Sequence, residues 1–183
     1  GKDGLPVAQL SLAFPEVRDY WISLVCEALA YGFAGIHVIF CRSWPFVLYE
    51  NPVVEFFQSE YGEDPRAGDE DDPRLWRVFA HFVNVFAREL KSAVLEMEQT
   101  LGKKLEIAYN INTTPESNLR WGVDVETLVA EGLVDYLMPH PTFAKNAAEW
   151  LPPLAELVAD TPVKLYPDLY PRRQPPAAAL YSA

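Results

Sequence analysis

The chain has 183 residues, half of them hydrophobic and 13% aromatic, a composition that buries a core and excludes a disordered polymer. Fifteen basic against 26 acidic residues give a formal charge of −11, which argues against nucleic acid or an anionic membrane as partner, because phosphate binding needs a basic surface. Neutral and cationic ligands remain open.

No apolar run reaches the length of a membrane span, and the Gly1-Lys2-Asp3-Gly4 start lacks the apolar core of a secretion signal, so any such signal would lie upstream. Cys26 and Cys41 have no metal-ligand spacing and form no disulfide framework.

Residues 7–14 alternate and read as a strand, after which Pro15 and Glu16 open a helix whose apolar stripe is Val17, Trp21, Leu24, Val25 and Ala28, ended by Gly32. Gly35 to Phe40 is a second strand, feeding a loop with Arg42, Trp44, Phe46, Tyr49 and Glu50. Asn51-Pro52 caps a short helix closed by Gly62, and an acidic connection runs from Glu63 to Asp72. The longest helix runs from Asp72-Pro73 to about Leu101, with Leu75, Val78, Phe79, Phe82, Phe86, Leu90 and Met97 at helical spacing and Gly102 as its stop. Lys104 to Asn112 is a strand, residues around 125–131 are helical up to Gly132, and Val134 to Met138 is a strand before Pro139-His140-Pro141. Residues 144–159 read as a helix broken at Pro152-Pro153, and Val163 to Tyr166 is the last strand before a Pro-rich end.

Strands alternating with helices imply a parallel α/β sheet, and the absence of a Gly-x-Gly-x-x-Gly or phosphate loop removes the main support for the nucleotide-binding version. No cofactor motif is present. The reading is a partial (β/α)8 TIM barrel, about five parallel strands with helices outside, in one domain over residues 1–183. A closed barrel needs about 250 residues, so the first and last strands would carry unpaired edges.

Parity locates a site. Leu10 and Leu12 oppose Gln9 and Ser11; Ile36, Val38 and Phe40 oppose His37; Leu105, Ile107, Tyr109 and Ile111 oppose Glu106, Asn110 and Asn112; Val163 and Leu165 oppose Lys164 and Tyr166. The apolar set must meet the helices, which turns the polar set to the other face. Lower residues such as Lys164, Glu106 and Asp135 can satisfy one another. Asn110, Asn112, His140, Tyr166 and Asp168 fall at or past C-terminal strand ends, where parallel α/β folds bind ligands, and a ligand-facing role is expected of them and of His37. Trp44, Phe46, Tyr49 and Trp121 offer aromatic faces for sugar rings, and Arg42 can clamp an acidic sugar.

The runs PEVRDYW at 15–21, GIHVIF with Arg42, PFVLYENPVVEFF at 45–57, YGEDPR at 61–66 and GVDVETLVAEGLVDYLMP at 122–139 together resemble the glycosyl-hydrolase-like family 10 group of bacterial TIM-barrel proteins. The resemblance implies a (β/α)8 barrel acting on or binding a glycan, with its third to seventh strands in this chain. Where many relatives read Asp-Gly-[Ile/Val]-His-[Leu/Phe]-Asp at the central strand, this sequence has Ala34 to Ile39, and Ile39 removes the carboxylate expected to face the pocket.

Glycoside hydrolysis uses two carboxyl groups, about 5 Å apart for retention or roughly 6.5–9.5 Å for inversion. With position 39 aliphatic, the candidates are Glu50 and Asp168, each with a structural alternative: Glu50 as a helix cap, Asp168 as a turn residue among prolines. The acidic run at 63–72 lacks the ligand alternation of a calcium loop and reads as a solvated connection ending in an N-cap Asp. His37, His81 and His140 share no metal spacing, and Thr114 of the sequon Asn112-Thr113-Thr114 reads as a helix cap. Two functions follow: a glycoside hydrolase whose acid and base are Glu50 and Asp168 or lie in the flanking strands of the barrel, or a carbohydrate-binding barrel that lost its chemistry with the central carboxylate.

Overall fold

A computed structural model describes residues 2–3, 10–41, 45–141 and 147–168. Four strands, β1 (Gly35–Ile39), β2 (Glu106–Ile111), β3 (Tyr136–Pro139) and β4 (Lys164–Leu165), form one parallel sheet in sequential order. The register pairs His37 with Ala108, Ala108 with Tyr136 and Tyr136 with Lys164. Between them run α1 (Pro15–Ala30), α2 (Asn51–Tyr61), α3 (Pro73–Leu101), α4 (Pro115–Leu119), α5 (Val125–Ala130) and α6 (Ala147–Val158). The α/β class and the parallel sheet agree with the sequence. The strand expected at residues 7–14 does not: residues 7–9 lie outside the described part, and residues 10–14 are irregular around a turn at 12–13. Ser11 drives it, its hydroxyl accepting from Ala13 N at 3.2 Å, so a local bond replaces a ladder bond. Ser11 and Leu12 are both buried while Leu10 is exposed, so the alternation there has no two-faced meaning.

The long helix matches its reading. Asp72 caps it by accepting from Arg74 N at 2.8 Å, and Gly102 ends it in the left-handed conformation at φ 63°. The stripe Leu75, Val78, Phe82, Phe86 and Leu90 is buried, joined by Val83, Ala87 and Val94. In α6 the expected break is absent: Pro152 and Pro153 lie inside the helix, which Trp150 and Leu154 anchor to the core from one face.

The stripe expected on α1 is a second correction. Trp21 and Leu24 are exposed, whereas Arg18 and Leu29 are buried and Ile22 and Val25 lean on the core. A charged residue counts as outward in any hydropathy pattern, but Arg18 finds Glu89 of α3 with two bonds, at 2.7 and 3.1 Å, and Leu12 O at 3.0 Å. The fork satisfies the guanidinium and turns this side of α1 inward. Arg18→Met is expected to lower stability by about 2 kcal/mol, because it leaves Glu89 and a buried carbonyl without their donor; urea unfolding reads it, and a loss below about 0.5 kcal/mol would show the pair to be incidental.

At the α2–α3 contact the Phe56 ring stacks on His81 at 4.3 Å. Burial, ahead of the charge on Arg88, holds the imidazole below its ordinary range. The folded state thus prefers the neutral ring, so its contribution is complete above the unfolded value near 6.5 and is lost as pH falls below it. Unfolding measured from pH 7.5 to 5 is expected to show a shallow fall in stability that His81→Gln flattens; an unchanged slope would remove His81 as its source.

One hydrophobic cluster unites the helices with Leu105, Ile107, Tyr109 and Ile111 of the β2 segment and with Leu137 and Val163. The Tyr109 ring lies 4.9 Å from that of Phe40, and burial pushes its phenol well up. None of His37, Ile39, Ala108, Tyr136, Met138, Lys164 or Tyr166 belongs to this cluster; they form the opposite face, where Ile39 and Tyr166 are exposed. The parity reading therefore describes β1, β2 and β4 and fails only at residues 10–14.

Candidate functional site at the C-terminal strand ends

The ladder continues past the strands: His140 N donates to Ile111 O at 2.8 Å, Tyr166 N to Leu137 O at 2.9 Å and Asp168 N to Pro139 O at 3.0 Å. Extending the register by two-residue steps stacks the polar face in rows. Ile39, Asn110, Met138 and Tyr166 form one, and Asn112, His140 and Asp168 form the next at the C-terminal edge.

The edge centres on a pair. His140 Nδ1 lies 2.6 Å from Asp168 Oδ2, with the imidazole buried and the carboxylate side chain 40% exposed. The carboxylate holds the ring in one orientation, and Asp168 presents its other oxygen, Oδ1, which bonds to none of the described residues. Two residues earlier on the same face, the Tyr166 ring is 53% exposed and lies 5.6 Å from the Tyr136 ring. Below, the Tyr136 hydroxyl donates to Glu106 Oε1 at 2.6 Å and accepts from Lys164 Nζ at 3.4 Å. The Glu106 carboxylate raises the phenol, and the Lys164 ammonium sits 5.1 Å over the Tyr136 ring. This is the self-satisfied lower network expected of Lys164 and Glu106, with Tyr136 as the link. Tyr136 shares the parity of His140, and the parity argument, extended to the Val134–Met138 strand, includes it.

The asparagines are turned inward. Asn110 Nδ2 donates to Met138 O at 2.8 Å and its Oδ1 accepts from the Cys41 thiol; Asn112 Nδ2 donates to Ser117 O at 3.3 Å. Both residues are 7% exposed, and these amide bonds brace the edge. Thr114 does cap α4, in a reciprocal box with Ser117. His37 is exposed on β1, three strands from Asp168.

Glu50 is the N-cap residue of α2, but its Oε2 accepts from Leu48 N at 2.8 Å and makes no cap bond to the helix. Among the described residues no hydrogen bond joins Glu50 to Asp168, and each carboxylate has its own partner, Leu48 N for Glu50 and His140 Nδ1 for Asp168. Tyr49 is half-buried with its ring 6.1 Å from Phe79, and burial raises its phenol. Trp121 is partly exposed on the turn after α4. Arg42 and Trp44 lie outside the described residues.

The acidic connection borders a cavity of about 350 Å³ lined by Glu63, Asp64, Asp69 and Asp72. Arg66 and Arg74 pin Asp64 and Asp72 and hold both carboxyls below the usual range. Among the described residues no group of three His, Cys, Asp or Glu side chains is arranged to hold a metal ion, and no described helix is long and apolar enough to cross a membrane. No family model matches the chain, and no curated protein matches it.

Proposed function

We propose that this chain is a contiguous part of a (β/α)8 barrel of the glycosyl-hydrolase-like kind, which takes a glycan at the C-terminal ends of its strands. Sequential parallel strands with the core on one face and polar residues on the other support the barrel part. The observation that carries the ligand is the Asp168–His140 pair at that edge beside the exposed Tyr166 ring, since a sugar needs a hydrogen-bonding carboxylate next to an aromatic face.

Between the two functions the geometry favours binding. Hydrolysis needs two carboxyls across one bond, and the edge row of described residues offers Asp168 alone, with Glu50 engaged in its own loop. A glycan array is expected to yield ligands that are bound without turnover, and Asp168→Asn is expected to weaken binding about tenfold by removing a charged hydrogen-bond acceptor. Hydrolysis of a bound glycan that is abolished by both Glu50→Gln and Asp168→Asn would restore the catalytic reading; failure to bind any glycan would end both.

A further inference from the structure

The glycan reading leaves the sugar's charge open, and the open face bears on it. Of the groups expected to meet a ligand, Asn110 and Asn112 are turned into the edge and His140 is 3% exposed behind Asp168. What the described residues of the C-terminal rows present is a carboxylate oxygen and an aromatic ring, Asp168 Oδ1 and Tyr166, two positions apart along β4 and its extension and therefore on one side of it. The two positions are about 7 Å apart, so one sugar ring spans them.

A carboxylate beside an exposed aromatic face is the arrangement that selects an ammonium: the anion supplies the charged acceptor and the ring its negative face. The same sheet shows the contact once already, a row lower, where the Lys164 ammonium stands 5.1 Å over the Tyr136 ring and donates to its hydroxyl. That lysine provides for Tyr136, whereas the Tyr166 ring has no cation over it among the described residues. The formal charge of −11 adds a long-range attraction of the same sign.

We propose that the site selects amino sugars with a free ammonium, held between Asp168 and the Tyr166 ring, with His140 as the positioning residue that aims the carboxylate. The inference rests on the glycan reading and narrows it. Lys164 lies two residues below Tyr166 on the same face, so it would repel an ammonium placed deeper; this confines the cation to the upper position.

The test is calorimetric titration of the intact chain with the tetramers of glucosamine, N-acetylglucosamine and glucose, and with spermidine. The glucosamine tetramer is expected to bind at least about tenfold more tightly than the other two sugars, because acetylation removes the charge and keeps the ring. Asp168→Asn is expected to abolish that preference and Tyr166→Leu to reduce it severalfold, with thermal melts close to that of the parent, as both side chains are partly or largely exposed. His140→Gln is expected to narrow the preference for glucosamine over glucose, a change in selectivity that a merely destabilising substitution, which weakens all three tetramers alike, would not give. Equal affinity for all three tetramers would overturn the ammonium inference and leave the glycan reading standing. Binding of spermidine as tight as that of the glucosamine tetramer would overturn the sugar part, and no binding of any tetramer would overturn both.

Discussion

Replacing Gly35 with alanine is expected to lower stability by about 3 kcal/mol or to prevent folding, the upper end of what overpacking costs. A Cβ at this position would stand 2.2 Å from Glu106 O and 2.9 Å from the carbonyl carbon and amide nitrogen of the same residue. Those are backbone atoms of the neighbouring strand, which cannot swing aside as a side-chain tip would. Gly35 and Glu106 are register partners at the start of β1, where Glu106 N also donates to Ala34 O at 3.1 Å. Relief would require β1 to part from β2, and β1 has no other strand partner among the described residues. The matched control is Gly68→Ala, where φ is −89° and the nearest atom to a new Cβ is Pro65 O at an ordinary 3.5 Å. Urea unfolding of the two variants is expected to separate them by most of the 3 kcal/mol, and equal stability would show that β1 does not approach β2 this closely.

Asn118 carries the second large effect. Its side chain is 1% exposed and closes the loop after β2 with three bonds to backbone: it accepts from Asn112 N at 2.7 Å and donates to Asn112 O at 3.0 Å and Thr114 O at 2.8 Å. Asn118→Leu fills the volume and leaves those backbone groups without their partner, at about 3 kcal/mol after partial relaxation. Asn118→Asp keeps the acceptor and turns a carboxylate oxygen toward two carbonyls, so it is expected to be no milder than leucine. Chemical unfolding measures both. An aspartate variant as stable as the parent would mean that the two donated bonds are not made, and the position of Asn112 beside His140 would lose its support.

The sequence carried the α/β alternation, the strand parities of β1, β2 and β4, and the stops at Gly62, Gly102 and Gly132, because each follows from local spacing or from a backbone conformation only glycine adopts cheaply. What it did not carry depends on partners distant in the chain. Arg18 lies on the buried side of α1 because Glu89, 71 positions later, receives it. Parity puts Asn110 and Asn112 on one face, but the bonds of their amides to Met138 O, Cys41 and Ser117 are not something a parity rule supplies. In the sequence Asp168 reads as an acid and His140 as a ligand contact, and their 28-residue separation hides that they form one unit. Glu50 accepts from the Leu48 amide two positions away, a loop contact that hydropathy and spacing do not announce.

The most direct test of the glycan site is its location. Amide chemical shifts of the isotopically labelled chain, followed while the glucosamine and glucose tetramers are titrated in, are expected to move most at Tyr166, Asp168 and His140, with smaller changes at Met138. Shifts confined to the helices or to the acidic connection at residues 63–72, with Tyr166 and Asp168 unmoved, would contradict the account.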